Sequence, residues 1–351
     1  MTSTSLSPAQ DEYGFLRGHD FDHLQHQEFL GSYLTVLARR AARWEALLGK
    51  AGYPGLKHSA KLKRFVRKGV PGKHRKGVWL QVSGAAQLRT KEPDLYLDLV
   101  QRPLQSTVVR DQIRADLPRT FPDNCHFDSS RPDNMQAGLY NVLHAFALVN
   151  PGIGYCQGLN YVAGLLLLVT REEEATFWLL KVLLEQKLPD YYTPTMPGLL
   201  TDLRVVEALA KQELPVLALH IERLGVPWAL FASKWFICLY SEVLPTETVL
   251  RVWDAVFYEG SKVLFRVALG LLKINQEQLL ARNNFGDLVE GMKEMLVCRS
   301  TINCHTFLEE ICSKTGPLPR TRIQELRVAL GRQVEHEQGQ REQRLRDREK
   351  K

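Results

Sequence analysis

Apolar residues recur along most of this chain at intervals of three and four positions, which is the spacing of one face of an α-helix. The pattern predicts a first helix over residues 32–48 and a second over 59–68, separated by the Tyr53-Pro54-Gly55 turn. Later apolar stripes, most of them closed by a proline or glycine, predict further helices over residues 141–149, 203–210, 228–239, 250–257 and 264–280.

Strand patterns, by contrast, are scarce. Residues 95–99 alternate in character, but no partner run follows them with a hairpin turn in between. No repeat of fixed period indicates a solenoid either. The sequence therefore predicts an all-α protein of many short helices, with tryptophans packed where helices meet.

The 351 residues divide into five predicted segments. A polar lead-in covers residues 1–35, a basic helical extension 36–64, the main helical domain 65–285, and C-terminal helices packed on that domain 286–332. Residues 333–351 carry dense mixed charge without an apolar stripe, which is typical of a disordered tail, with a solvated helix as the alternative.

The composition is that of a globular protein, since 44% of the residues are hydrophobic and 24% are charged. The longest apolar run, residues 162–169, is less than half of the roughly 20 residues that a membrane-spanning helix needs. The amino terminus shows neither a secretory signal nor a myristoylation motif. We therefore expect a cytoplasmic protein, with peripheral association with endomembranes left open.

The six cysteines are dispersed without a C-x-x-C pair, as expected for free thiols in a reducing compartment. The tightest group comprises Cys298, Cys304, His305 and Cys312. Its spacing does not bring ligands within about two to four residues at each end, as zinc sites usually do. These residues are expected to be ordinary core side chains, and no metal or cofactor is predicted.

Positive charge is concentrated near the amino terminus. Between residues 37 and 77, thirteen lysines and arginines face a single acidic residue, Glu45, whereas the whole chain has a net charge of +7. This basic strip (residues 37–77) suits anionic membrane lipids or an acidic partner surface, and an ordinary solvated face is the alternative. Aromatic residues are too sparse here for base stacking, so no nucleic acid partner is predicted.

The first segment with candidate chemistry is residues 113–122, IRADLPRTFP. Asp116 and Arg119 are three positions apart, so on a helical turn they share a face and can pair. Pro118 and Pro122 push the chain out of the helix, which would place Arg119 at a helix end with its guanidinium free to project. An ordinary surface ion pair is the alternative.

The second segment is residues 154–160, GYCQGLN, between two apolar helices. Its glycines permit close approach to another surface, and Gln157 can orient a water molecule without taking its proton. An ordinary core or solvent-exposed glutamine is the alternative. Phosphate-loop, H-E-x-x-H and G-x-S-x-G motifs are absent from the sequence, so it lacks the usual residue sets of a self-contained hydrolase.

Together these two segments resemble the TBC domain of Rab GTPase-activating proteins, whose hallmarks are I-x-x-D-x-x-R and Y-x-Q. The first hallmark is present here as Ile113, Asp116 and Arg119, and the second as Tyr155 and Gln157. Other family landmarks follow in the expected order within residues 65–285, namely GVP at 69–71, VW at 78–79, WF at 235–236, LP at 244–245, RVWD at 251–254 and EG at 259–260.

One landmark departs from the family pattern. Members of the family often have L-R-G-x-V-W at this place, whereas residues 74–79 are HRKGVW. This segment is expected to belong to the scaffold, so the departure has little bearing on the two hallmark motifs.

The resemblance implies a GTPase activator that acts in trans on a GTP-bound Rab and regulates vesicle trafficking, without being an independent enzyme. It assigns Arg119 as an arginine finger and Gln157 as a glutamine finger, with Asp116, Tyr155 and Asn160 in supporting positions. Mg²⁺ and GTP would be carried by the partner GTPase. A docking module of the same fold that does not accelerate hydrolysis, and an independent hydrolase, are the alternatives.

Overall fold

The computed structural model describes residues 10–17 and 23–349. These residues form α-helices, a π-helical turn and connecting loops with isolated β-bridges, and no β-strand occurs among them. The all-α prediction is therefore confirmed. The chain divides into two compact units, Met1–Leu183 and Leu184–Lys351, and the boundary falls inside the segment 65–285 that the sequence predicts as one domain.

The helices of the first unit form an apolar core around three of its members. Phe146, Leu166 and Trp178 lie on these three helices, and each is 0% exposed. The helices are α1 (His23–Ala51), α2 (Ala60–Lys68), α3 (Gly72–Ser83), α4 (Ala85–Lys91), α5 (Leu95–Gln101), α6 (Thr107–Asp116), α7 (Gln136–Val149), α8 (Leu159–Thr170) and α9 (Glu173–Val182). Helices α7, α8 and α9 pack on one another, and α3 contacts both α8 and α9.

Helix α1 begins at His23, well before the predicted residue 32. Phe29 stacks on Tyr33 with ring centroids 4.8 Å apart, and Arg40 donates to the Tyr33 hydroxyl at 2.9 Å. Side chains separated by about four residues lie on one helix face, so the Phe29–Tyr33 contact stabilises the early turns. The lead-in predicted over residues 1–35 therefore ends in helix.

The second unit is built around helix α10. Its elements after the π-helical turn (Leu183–Lys187) are α10 (Pro197–Glu213), α11 (Pro215–Arg223), α12 (Trp228–Ile237), α13 (Thr246–Glu259), α14 (Lys262–Ile274), α15 (Gln276–Leu280), α16 (Phe285–Glu294), α17 (Arg299–Ile302), α18 (Cys304–Lys314) and α19 (Arg320–Glu349). Helix α10 contacts α11, α12, α14 and α19. Trp235 and Trp253 are each 1% exposed, in agreement with tryptophans packed between helices.

The prediction of a single helix over residues 264–280 is wrong, because the structure has α14 and α15 on either side of Asn275. The Asn275 side chain is buried, and its Nδ2 donates to the carbonyl of Leu271 at 2.8 Å. A side chain that bonds to nearby backbone competes with the helical hydrogen bonds. Apolar periodicity continues through this break, so the pattern alone did not reveal it.

The charged carboxyl-terminal segment is helical through Glu349, as part of α19, and does not form the disordered tail predicted from residue 333. Val334 is 2% exposed, and Arg204 of α10 donates to both carboxylate oxygens of Glu337 at 3.0 and 2.5 Å. These long-range contacts anchor a segment whose own apolar pattern is too weak to predict a helix. No helix in the described part of the chain is long and apolar enough to cross a bilayer.

Candidate functional site

The arginine turn, residues 117–121, follows helix α6. Ser106 caps the helix by accepting from the amide of Val109 at 3.3 Å. The helix ends at Asp116, because Pro118 has no amide hydrogen with which to continue the ladder. Arg119 therefore lies just past the helix end, where a cation is favoured by the helix dipole, and its side chain is 51% exposed.

The carboxylate of Asp116 connects both candidate segments. Its side chain is only 4% exposed, and Oδ1 forms an ion pair with Nη2 of Arg119. The other oxygen, Oδ2, accepts a hydrogen bond of 2.5 Å from the hydroxyl of Tyr155. One buried carboxylate thus holds the arginine on one side and the Tyr155 segment on the other.

A second connection runs through Thr120 and Asn160, each of which is 0% exposed. The Thr120 hydroxyl donates to the backbone carbonyl of Asp116 at 2.7 Å and accepts from Asn160 Nδ2 at 2.9 Å. The Oδ1 of Asn160 in turn accepts from the amide of Gly158 at 3.1 Å. The arginine turn and the segment around Gln157 are therefore held together through two separate sets of hydrogen bonds.

The glutamine loop, residues 154–158, presents Gln157 to solvent between buried neighbours. Gly154 and Gly158 have φ angles of 59° and 107°, values that side chains disfavour. Tyr155 is 9% exposed and anchors the loop, whereas Gln157 is exposed. The glycines supply the turns, and the tyrosine fixes the position of the loop.

Three further residues position the arginine turn, a role that their place in the sequence did not reveal. A Cβ atom on Gly164 of α8 would lie 3.1 Å from side-chain atoms of both Thr120 and Phe121, so the glycine permits close packing of the turn on the helix. Phe121 adopts a φ of 48°, and its ring meets that of Tyr161 edge-on at 5.4 Å. The Tyr161 hydroxyl donates to the backbone carbonyl of Arg119 at 3.2 Å. A glycine inside an otherwise apolar helix was the one available sequence signal.

Burial and the nearby Asp116 carboxylate raise the pKa values of two neighbouring side chains, Tyr155 and Cys156. Burial, followed by the hydrogen bond and charge of Asp116, raises the pKa of Tyr155 well above its usual value. Burial and the Asp116 charge also raise the pKa of the Cys156 thiol to about 11. Both groups therefore remain protonated at neutral pH, and Tyr155 keeps the hydrogen that it donates to Asp116.

Replacing Tyr155 with phenylalanine is expected to lower the free energy of unfolding by about 1–3 kcal/mol, the cost of leaving a buried polar group without its partner. The variant removes only the hydroxyl that Asp116 Oδ2 accepts. Chemical denaturation monitored by circular dichroism measures the change. Tyr140→Phe is the matched control, because the contact of Arg114 with the Tyr140 ring does not use the hydroxyl. Equal stability of the two variants would contradict a structural role for the Tyr155 hydroxyl.

The cysteine group and the basic strip are also placed by the structure. Cys304 is 0% exposed, and within residues 10–17 and 23–349 no three His, Cys, Asp or Glu side chains are grouped to hold a metal ion. In the basic strip, Arg40 and Arg75 are buried, and Lys73 pairs with Glu45. The exposed cations of helix α2 are Lys61, Arg64 and Lys68, which helical spacing places along one face.

Residues 72–280 match the family model for the Rab-GTPase-TBC domain, which is more than half of the chain. The chain belongs to the Rab-GTPase-TBC domain family. This confirms the resemblance carried by the two hallmark motifs, and both candidate segments lie within the matched residues. A Rab GTPase is accordingly the class of partner that membership of the TBC family implies.

Individual TBC proteins are similar to this chain over most of its length. Growth hormone-regulated TBC protein 1 of Homo sapiens is 45% identical, over 92% of this chain and 95% of that protein. The protein of the same name from Xenopus tropicalis is 42% identical, over 93% and 95%. The crystal structure of the Chlamydomonas flagellar RabGAP TBC domain superposes with a TM-score of 0.74 at 31% identity, covering 88% of this chain and 100% of that one.

The Ypt/Rab-GAP domain of Gyp1p has the same fold at greater sequence distance. It superposes with a TM-score of 0.66 at 22% identity, covering 78% of this chain and 97% of that domain. The all-α architecture is thus shared with solved TBC domains.

Proposed function

We propose that this protein accelerates GTP hydrolysis by a Rab GTPase, supplying Arg119 as an arginine finger and Gln157 as a glutamine finger in trans. Through that activity it would regulate vesicle trafficking in the cytoplasm. The observation that carries the proposal is the shared Asp116 carboxylate, which pairs with Arg119 and accepts a hydrogen bond from Tyr155 in the glutamine loop. This arrangement holds an exposed arginine close to the loop that carries an exposed glutamine, which a purely structural surface does not require.

The chemistry requires a cation at the phosphates. Hydrolysis of GTP spreads negative charge over the γ-phosphate oxygens and the leaving oxygen in the transition state, and a trans arginine is worth about 10³–10⁵ in rate. That factor corresponds to roughly 4–7 kcal/mol of transition-state stabilisation. Arg119 suits this role because its guanidinium is half exposed, always charged, and able to contact two phosphate oxygens at once.

The attacking water must also be held in position. Gln157 can donate and accept a hydrogen bond at once, and so can orient a water molecule without removing its proton. Its exposure between two glycines leaves the side chain accessible to a docked partner. A misplacement of about 1 Å can cost about 10²-fold in rate, so the anchoring of its loop by Tyr155 and Asn160 matters to the chemistry.

The proposed reaction also requires Mg²⁺, GTP and access to a membrane-bound Rab. Mg²⁺ and GTP would arrive bound to the Rab, so this chain would supply side chains and no cofactor. Peripheral contact with anionic membranes would use the exposed cations of helix α2 within the basic strip, Lys61, Arg64 and Lys68. Such contact would bring the activator to Rabs that act on endomembranes.

The direct test is single-turnover GTP hydrolysis by a panel of purified, GTP-loaded Rabs with and without the full-length protein. At least one Rab is expected to hydrolyse GTP about 10³-fold faster or more. Binding to Rabs without acceleration across a broad panel would instead identify a docking module. Hydrolysis of GTP by this protein in the absence of any Rab would identify an independent hydrolase.

A further inference from the structure

The second unit contains a cavity of about 530 Å³, far along the chain from the two hallmark motifs. The end of the π-helical turn, the connection between α13 and α14, and the first two turns of α19 form its walls. Its charged lining residues are four cations and one carboxylate: Lys187, Lys262, Arg320, Arg327 and Glu259. A cavity of this volume is in the range that binds small molecules.

Two of the four cations are neutralised by carboxylates. Lys262 lies 3.1 Å from an oxygen of Glu259. Arg327 forms a two-pronged contact with the buried Asp202, with nitrogen-to-oxygen distances of 2.7 and 2.6 Å. These pairs fix the position of the cavity wall without adding net charge to it.

The other two cations, Lys187 and Arg320, have no carboxylate partner among the described residues 10–17 and 23–349. Arg320 donates from Nη2 to the backbone carbonyl of Glu259 at 2.5 Å, which holds the guanidinium at the cavity wall and leaves its charge unmatched. Burial, and then the charge of Arg320, lowers the pKa of Lys187. Lys187 is partly buried and Arg320 is exposed at the cavity mouth, and two neighbouring positive charges are unfavourable unless an anion accompanies them.

The surroundings of these cations are well defined. Arg327 Nη2 also donates to the hydroxyl of Ser261 at 2.9 Å, so α19 is fastened to the α13–α14 connection. Lys187 is the last residue of the π-helical turn, a rare local geometry that is frequent at functional sites. Arg320 and Arg327 therefore lie on a helix that hydrogen bonds hold to the opposite wall of the cavity, which favours a selective binding site.

We propose that this cavity is a binding site for a phosphate monoester, held by Lys187 and Arg320. A phosphate monoester carries about −1.5 to −2 charges at neutral pH, which matches the two unneutralised cations. A carboxylate would neutralise only one of them. The planar guanidinium of Arg320 can bond two phosphate oxygens at once, and the ammonium of Lys187 adds a third donor group.

The phosphate monoester has two chemical sources, a soluble phosphorylated metabolite or the headgroup of phosphatidic acid. Glycerol 3-phosphate is the soluble probe, and its binding to the full-length protein is measured by isothermal titration calorimetry and by the rise in Tm. Saturating probe is expected to raise Tm by about 2 °C or more. The lipid probe is co-sedimentation with phosphatidylcholine vesicles that do or do not contain phosphatidic acid. Binding of either probe supports the site, and the two arms identify the source.

The variants Lys187→Gln and Arg320→Gln are each expected to weaken binding of the responding probe by at least about tenfold, the loss of one charge-assisted hydrogen bond. Lys273→Gln is the matched control, because Lys273 is an exposed lysine of α14 outside the cavity lining. Lys187→Gln is expected to leave the Tm of the free protein unchanged or higher, since it removes a partly buried charge that has no carboxylate partner among residues 10–17 and 23–349. This variant therefore tests the site even if Arg320→Gln destabilises the fold.

Two results would overturn the proposal. One is the absence of binding by both glycerol 3-phosphate and phosphatidic acid vesicles. The other is that Lys187→Gln binds the responding probe as tightly as the control variant Lys273→Gln. Neither measurement contains a Rab, so the outcome is independent of whether the protein activates GTP hydrolysis.

Discussion

Replacing Arg119 with alanine is expected to lower the rate of Rab GTP hydrolysis in the presence of this protein by about 10³–10⁵-fold while the fold is retained. The loss is large because no other cation of the arginine turn can replace a guanidinium at the transferring phosphate. Single-turnover hydrolysis with a responding Rab measures it. Arg119→Lys is expected to recover little activity, since an ammonium cannot contact two oxygens in the geometry of the guanidinium.

The stability of Arg119→Ala separates a catalytic arginine from a structural one. The Arg119 side chain is half exposed, and Asp116 keeps its hydrogen bond from Tyr155 when the arginine is removed. Asp116 is buried, but the arginine is half exposed and one hydrogen bond to the carboxylate remains, so the free energy of unfolding is expected to fall by about 1–2 kcal/mol, less than the roughly 3–5 kcal/mol lost when a fully buried ion pair is broken. Arg102→Ala is the matched control, because Arg102 is an exposed arginine of the first unit with a weak contact to Asp98 at 3.9 Å. A loss of several kcal/mol in Arg119→Ala alone would point to a structural arginine.

Replacing Gln157 with alanine is expected to lower stimulated hydrolysis by about 10²-fold or more, with no effect on the Tm of the free protein. The side chain is exposed, and the hydrogen bonds that shape its loop come from Tyr155 and Asn160. Truncation therefore removes the group that would orient the water and leaves the loop in place. Single-turnover hydrolysis and a thermal melt of the same preparation measure the two quantities.

The affinity of Gln157→Ala for the Rab distinguishes the possible reasons for a loss of stimulated GTP hydrolysis. If the glutamine acts on the water, the variant binds a GTP-loaded Rab nearly as tightly as the original protein and only the chemical step slows. Gln87→Ala, which alters an exposed glutamine of α4, is the control and is expected to stimulate Rab GTP hydrolysis at the original rate. Unchanged Rab GTP hydrolysis in the presence of Gln157→Ala would exclude a glutamine finger. A loss of Rab affinity as large as the loss of rate would make Gln157 a docking residue instead.

Much of the architecture follows from local patterns in the sequence. Apolar residues at helical spacing predicted helices that correspond to α2, α7 and α13, and Ser59 caps α2 by accepting from the amide of Leu62 at 3.1 Å. The pairing of Asp116 with Arg119 was predicted from their spacing of three residues, and the structure contains that ion pair. Local spacing suffices in these cases because the groups concerned lie within one or two turns of helix.

Contacts between distant residues decided the rest. The sequence placed Tyr155 and Asn160 beside Gln157, but not against the arginine turn, since Tyr155 is 39 residues from Asp116 and Asn160 is 40 from Thr120. Helix α19 likewise depends on Asp202, which lies 125 residues before its partner Arg327. The sequence by itself therefore determined several of the helices, the family and the identity of the candidate finger residues. Only the tertiary structure decided that the Asp116 carboxylate joins Arg119 to the glutamine loop, because packing of α8 against the arginine turn brings together side chains that no local periodicity relates.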